Sequence, residues 1–104
     1  MRRRVVITGL AAEGLRGARV RLKQPGSGPA AHDIWRRIRE TPARLRDWPY
    51  LGPASDEHPG CRAIMAGEWT FVYAVSPDTG DHATAGDIVI LAVFPPRIGD
   101  RSLD

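Results

Sequence analysis

The sequence predicts an α+β domain in which a helical hairpin packs on a small antiparallel sheet, in the order β-α-α-β-β-β. Two observations indicate this fold class. Apolar side chains recur at helical spacing in the first half of the chain, whereas short β-branched and aromatic runs dominate the second half. With 104 residues and a hydrophobic fraction of 42%, the chain is sufficient for one modest core. We therefore expect a single domain over residues 1–104, with residues 97–104 as a flexible tail.

The first strand and the first helix are predicted from a change of period. Three consecutive β-branched residues, Val5–Ile7, indicate a short strand that ends at Thr8 and Gly9. The apolar positions that follow are spaced four, three and four residues apart, which gathers them on one helix face. They are Ala11, Leu15, Ala18 and Leu22.

A second helix should begin near Ala30, after a Pro- and Gly-rich turn. Its apolar stripe is Ile34, Trp35 and Ile38. We expect Pro42 to end this helix, because proline lacks an amide hydrogen and its ring clashes with the preceding turn. Thr41 would then cap a short further helix.

The second half of the chain predicts sheet. The expected strands are Arg62–Met65, Glu68–Val75 and Asp87–Phe94. Ala66 and Gly67 are expected to form the tight reversal between the first two of these strands. In the central strand both faces are largely apolar, so both should be covered. Pro95 and Pro96 end the last strand.

Positive charge is concentrated in the first half. Residues 1–46 carry twelve Lys and Arg against three acidic residues, whereas the rest of the chain carries three against nine. Such a basic half attracts polyanions, which makes nucleic acid or an acidic protein the leading partner class. The alternative is that these arginines merely lie on solvent-exposed helix faces and bind no partner.

Other function classes are disfavoured by composition. The three histidines are far apart and Cys61 is the single cysteine, so we expect no metal and no cofactor. The longest apolar run, Ile88–Phe94, is too short to span a bilayer, and we expect a cytoplasmic protein that does not use a membrane. The basic and apolar start of the chain imitates a signal peptide only faintly.

Arginine is the remaining chemical reagent. An RNA-cleaving site needs cations around the scissile phosphate, and guanidinium groups supply them without metal. Arg62 opens a predicted strand and Arg97 follows the last one, so antiparallel pairing would bring both to one sheet surface. The alternative is that Arg62 pairs with an acid such as Glu68 and that Arg97 only solubilises the tail.

The order of motifs resembles the RelE/ParE superfamily of bacterial toxins from type II toxin–antitoxin modules. The resemblance rests on the segments 60–62, 67–73 and 88–93, the last leading to Arg97. It implies a cytoplasmic toxin held inactive by a cognate antitoxin. RelE-like members cleave mRNA in the ribosomal A site, whereas ParE-like members poison DNA gyrase.

The resemblance also implies roles for particular residues. Arg62 and Arg97 match family arginines, so they would clamp the phosphate. Thr70 and Pro95–Pro96 stand where RelE-like sequences carry a further arginine and a histidine or tyrosine. Glu68 or His58 would therefore have to act as the general base. The expected nucleic-acid contacts are Lys23, Arg36, Arg37, Arg44 and Arg46.

The leading hypothesis is a toxin that stops translation by ribosome-dependent mRNA cleavage. A gyrase inhibitor without catalytic activity and a non-toxic binding domain are the alternatives. Exposed tryptophans, with Trp35 and Trp48 as candidates, would also allow a homodimer or an antitoxin groove.

Overall fold

The fold is α+β, and the computed structural model describes residues 3–103. The elements follow the predicted order β-α-α-β-β-β. They are β1 (Val5–Ile7), α1 (Gly9–Leu22), α2 (Gly28–Asp47), β2 (Arg62–Ala66), β3 (Trp69–Ser76) and β4 (Asp87–Phe94).

The four strands form one sheet in the order β1-β4-β3-β2. The pairs β2–β3 and β3–β4 are antiparallel, as expected. The edge strand β1 runs parallel to β4, so the sheet is mixed rather than wholly antiparallel. The helices α1 and α2 form a long connection after which β2 runs in the same direction as β1. Because β2–β3 and β3–β4 are both antiparallel, β4 has this direction too and pairs with β1 in parallel.

The main core lies between the helices and one face of the sheet. Ala11 and Ala18 of α1, together with Ile38 and Leu45 of α2, are buried against strand residues that include Phe71 of β3. The small side chains of α1 allow a close approach: a Cβ added at Gly14 would lie 2.2 Å from the carbonyl oxygen of Val93. Helix α1 therefore packs directly on the β4 backbone.

The other sheet face carries a second, smaller cluster. Val72, Ala92 and Phe94 are buried there. Leu103 packs against them, so the segment after β4 lies along this face. The expectation that both faces of the central strand are covered is confirmed, since residues 69–73 of β3 are all buried.

Helix α2 is longer than predicted, because it continues through Pro42 to Asp47. The prediction that Pro42 ends the helix and that Thr41 caps a new one was wrong. Thr41 is buried inside the helix, and its hydroxyl donates a hydrogen bond of 2.7 Å to the carbonyl of Arg37. Two further turns also bury Leu45 completely. This burial offsets the roughly 3 kcal/mol that an internal proline costs.

The β2–β3 turn is displaced by one residue from its predicted place. Ala66 pairs with Trp69, so Gly67 and Glu68 form the two-residue turn. Both have positive φ, 54° and 73°, which is typical of a type I′ hairpin. A Cβ at Gly67 would lie 2.5 Å from Cγ2 of Ile34. The turn therefore lies directly against the N-terminal half of α2.

Within residues 3–103, none of the helices combines the length and apolar character needed to cross a membrane.

Candidate functional site

A groove of about 310 Å³ lies at the hairpin end of the sheet. It collects side chains from α1, from the β2–β3 hairpin and from the segment after β4. Its lining residues are Arg21, Met65, Glu68, Pro96, Arg97 and Arg101. Three guanidinium groups and one carboxylate thus share a single surface.

The backbone places Glu68 and Arg97 at this end of the sheet. Glu68 is the second residue of the type I′ turn, and its exposed side chain lines the groove. Arg97 follows Pro95 and Pro96 and has a φ of 61°. For a residue other than glycine this left-handed backbone is uncommon, and it turns the chain back after β4.

Arg21 and Arg101 complete the cationic wall. Arg21 lies in the last turn of α1, where its Cζ is 5.3 Å from the ring centroid of Trp69. Arg101 Nη1 lies 3.4 Å from Thr70 Oγ1 and 3.6 Å from a carboxylate oxygen of Glu57. Within residues 3–103, no carboxylate forms an ion pair with Arg21 or Arg97. Both guanidinium groups can therefore receive an anionic ligand.

The structure does not bring Arg62 to this groove. Arg62 pairs in register with Tyr73, whereas Phe94 pairs with Thr70. Three residues of β3, or about 10 Å, separate these register positions, and Arg97 lies beyond Phe94. The expected clamp of Arg62 and Arg97 around one phosphate is not formed, because Arg62 does not line the groove and its guanidinium group binds the loop before β2.

Arg62 instead holds the loop before β2. Its Nη1 donates a hydrogen bond of 2.8 Å to the carbonyl of Gly52, and its Cζ lies 4.7 Å from the ring centroid of Tyr50. The alternative expectation, an ion pair with Glu68, is not formed either. Nε of Arg62 is buried without a hydrogen-bond partner within residues 3–103. These contacts give Arg62 a structural role.

Tyr73 belongs to the same structural network. Its hydroxyl donates to the carbonyl of Pro49 at 2.8 Å and accepts from the amide of Gly52 at 3.0 Å. Burial raises the pKa of Tyr73 above its ordinary value of 10.0, and the Gly52 hydrogen bond and the Arg62 charge only partly oppose this effect. Tyr73 is thus a neutral phenol that fixes the loop rather than an acid or base of the groove.

The predicted nucleic-acid contacts are exposed, but they do not form one stripe. Lys23 caps the C-terminal end of α1, next to Leu22. On α2, Arg37 and Arg44 are seven residues apart and share a flank, since about 3.6 residues complete a turn. Arg46 comes nine residues, or two and a half turns, after Arg37, so it lies on the opposite flank of α2. Arg36 lies on the outer face between these two flanks. Only Arg37 and Arg44 are aligned along the helix.

The histidines and Cys61 lie outside the groove. His32 is exposed on α2, His82 contacts Trp48, and His58 packs near Phe94 with Nε2 buried and without a partner within residues 3–103. His58 does not line the groove, so Glu68 is the base that the groove itself offers. Across the same described residues, no group of three or more His, Cys, Asp or Glu is placed to hold a metal ion.

Sequence reasoning missed two residues that line the groove, Arg21 and Arg101. Arg21 was one of several arginines on a basic helix, and Arg101 lay in a segment expected to be a flexible tail. The position of Arg21 in the last turn of α1 was a signal, but only the packing of α1 on β4 and β3 shows which end of the sheet it reaches.

Together the elements and the groove define a small α+β domain with a cationic site at one end of a mixed sheet. No protein-family model matches the chain, and no curated protein matches it.

Proposed function

We propose that the chain is the toxin component of a RelE/ParE-type toxin–antitoxin module, which acts in the cytoplasm and stops translation by ribosome-dependent cleavage of mRNA. The observation that supports this function best is the groove, where Arg21 and Arg97 have no ion-paired carboxylate and Glu68 lies beside them. Guanidinium groups bind phosphate oxygens through forked hydrogen bonds, so this arrangement suits a phosphodiester.

The residues of the groove can carry out cleavage within an RNA strand. In this reaction the Glu68 carboxylate takes the proton of a ribose 2′-hydroxyl, and O2′ forms a bond to the adjacent phosphorus. The bond from phosphorus to O5′ breaks, and the leaving oxygen takes a proton from water. The products are a 2′,3′-cyclic phosphate and a 5′-hydroxyl.

Arg97 and Arg21 would stabilise the charge that develops on the phosphoryl oxygens. Preorganised cations at such a position contribute more than in water, because they need no reorientation during the reaction. Arg101 is held by Thr70 and Glu57 and so fixes the far wall of the groove. Arg62 acts only through the fold in this proposal.

The helix arginines would contact ribosomal RNA. Arg37 and Arg44 lie on one flank of α2, and the turn of the hairpin lies against the N-terminal half of the same helix. An RNA backbone can therefore follow this flank toward the groove. Because the surface is cationic, the cognate antitoxin is expected to present acidic side chains to it.

The test is cleavage of a defined mRNA in a reconstituted translation mix, with the cut mapped by primer extension. The wild-type chain should cut ribosome-bound mRNA, and Arg97→Met should reduce the rate at least about 100-fold. Arg4→Met is the matched control, because Arg4 is exposed and pairs with Asp87 at the other end of β4. Intact mRNA with the wild-type chain would contradict the proposal.

Two companion measurements separate the alternatives. Inhibition of gyrase supercoiling with intact mRNA would instead indicate a ParE-like poison. Unchanged growth on induced expression, without a co-expressed antitoxin, would indicate a non-toxic binding domain.

A further inference from the structure

An exposed aromatic pair lies at the end of the molecule opposite the groove. The indole of Trp48 contacts the imidazole of His82 with ring centroids 5.1 Å apart. Trp48 is 61% exposed, whereas Trp35 and Trp69 are 9% and 4% exposed. The expectation that Trp35 is an exposed tryptophan was wrong, since it belongs to the core between the helices and the sheet. Trp48 alone presents its indole to solvent.

The backbone on both sides of this pair is held in place. The amide of Trp48 donates to the carbonyl of Arg44 at 2.8 Å, and the carbonyl of Trp48 accepts from the amide of Leu51 at 3.1 Å. On the other side, the amides of Thr84 and Ala85 both donate to the carbonyl of Asp81. Each ring therefore extends from an ordered turn.

One guanidinium group joins the two sides. Arg3 donates from Nη1 to the carbonyl of Arg46, from Nη2 to the carbonyl of His82 and from Nε to the carbonyl of Ala85. It thus connects the last turn of α2 to the loop that carries His82. The backbone segments that carry the two rings are held together before a ligand binds, which reduces the entropic cost of binding.

The charges beside the pair favour an anionic polymer. Arg44 lies one turn before Trp48, and no carboxylate within residues 3–103 pairs with it. Arg46 pairs with Asp47 at 3.4 Å, and Oδ1 of Asp81 accepts the backbone amide of Ala83. A preorganised aromatic surface next to an available arginine is the combination that binds unpaired nucleotides, through base stacking and phosphate contact.

We propose that Trp48 and His82 form a stacking site for an unpaired RNA base, with Arg44 contacting the phosphate next to it. This inference rests on the proposed function and adds a second RNA contact to it. From Ile34, which lies under the hairpin turn, α2 extends 14 residues or about 21 Å to Trp48. That length corresponds to about six nucleotides at a stacked spacing of 3.4 Å.

The first experiment measures binding of a 2′-O-methyl oligonucleotide, which cannot be cleaved, by the anisotropy of a label on its end. A length of about twelve nucleotides covers both the groove and the aromatic pair. Trp48→Ala should weaken binding at least about fivefold, whereas Trp48→Phe should keep most of the affinity, because phenylalanine still stacks. Val20→Ala is the control, since Val20 is 64% exposed on α1 and lies outside both sites.

Tryptophan fluorescence gives an independent signal. Stacking of a base on Trp48 should quench emission in the wild-type chain, and the Trp48→Phe variant should lose this quenching while it still binds. Equal quenching in both chains would place the effect at a buried tryptophan and would contradict the proposal.

A second arm uses empty ribosomes to separate the two sources of an unpaired base. If Trp48→Ala weakens only oligonucleotide binding, the base belongs to mRNA. If Trp48→Ala weakens only co-sedimentation with ribosomes, the stacked base belongs to ribosomal RNA. The stacking site is supported in either case. Wild-type affinity of Trp48→Ala in both arms would overturn the stacking site.

Failure of this inference is distinguishable from failure of the proposed function. Normal binding by Trp48→Ala, with cleavage that still depends on Arg97, would remove the stacking site and keep the toxin. Trp48-dependent binding without any cleavage would keep the stacking site and contradict the ribonuclease.

Discussion

Replacing Arg62 with Met tests whether this arginine is structural, in contrast to Arg97, for which we propose a role in cleavage. The variant keeps most of the aliphatic stem but removes the hydrogen bond to the Gly52 carbonyl and the contact with the Tyr50 ring. Arg97 faces the groove and has no such partners. We expect Arg62→Met to lower stability and Arg97→Met to lower activity.

The size of the stability loss follows from these contacts. A hydrogen bond from a charged donor contributes about 1.5–3 kcal/mol, and a cation–π contact adds about 0.5–1 kcal/mol. Nε of Arg62 is buried without a hydrogen-bond partner, so its removal stabilises the folded state by about 1–2 kcal/mol. The net loss is about 1–2 kcal/mol. It corresponds to a decrease in Tm of roughly 5–15 °C for a domain of this size.

Thermal and urea unfolding measure the stability, and the mRNA cleavage assay is run at a temperature where both variants are folded. Arg97→Met should unfold within about 0.5 kcal/mol of the wild type, because its side chain is exposed. The reasoning would be refuted by a folded Arg62→Met variant with wild-type Tm and no cleavage, particularly if Arg97→Met remained active.

Four further substitutions test the turn, the helix packing and the buried phenol. Glu68→Gly should raise the free energy of unfolding by up to about 1 kcal/mol in urea titrations, because glycine accepts a φ of 73°. The same variant should not cleave mRNA. A variant that loses both stability and cleavage would contradict the turn geometry. Gly14→Ala should lower the free energy of unfolding by about 3 kcal/mol or more, because its Cβ would overlap the Val93 carbonyl. Gly17→Ala has open space around its Cβ and should raise the free energy of unfolding by about 1 kcal/mol through helix propensity. The same urea titration measures both values. Tyr73→Phe should lose about 1–3 kcal/mol at neutral pH. Because the folded pKa of Tyr73 is raised, the phenol contributes stability below pH 10 that is lost as the pH rises through the folded pKa, and the variant should lack this alkaline loss in pH-dependent unfolding.

Periodicity predicted most of the elements correctly. The spacing of Ala11, Ala18 and Leu22 marked the buried face of α1, and the alternation around Phe71 marked the core face of β3. Pro42 misled the prediction, because the local cost of a proline was considered without the gain from burying Leu45. That gain depends on contacts with residues distant in sequence, which no local rule contains.

The site was predicted only in part, for a related reason. Arg97 and Glu68 were identified, and the structure brings them to one groove. Arg62 was placed with them because antiparallel pairing was assumed without its register. The register sets Arg62 opposite Tyr73, and the loop before β2 then takes its guanidinium group. Arg21 joins the groove through the packing of α1 on the sheet, which spacing alone does not reveal.

The parallel pairing of the first strand with the last has a consequence for synthesis of the chain. Val5–Ile7 lies beside Ile88–Ile90, so the sheet cannot be completed until more than eighty residues have been joined. The groove also depends on Arg97 and Arg101, which leave the ribosome later still. A nascent chain in which these two residues are still inside the ribosome therefore cannot form the groove.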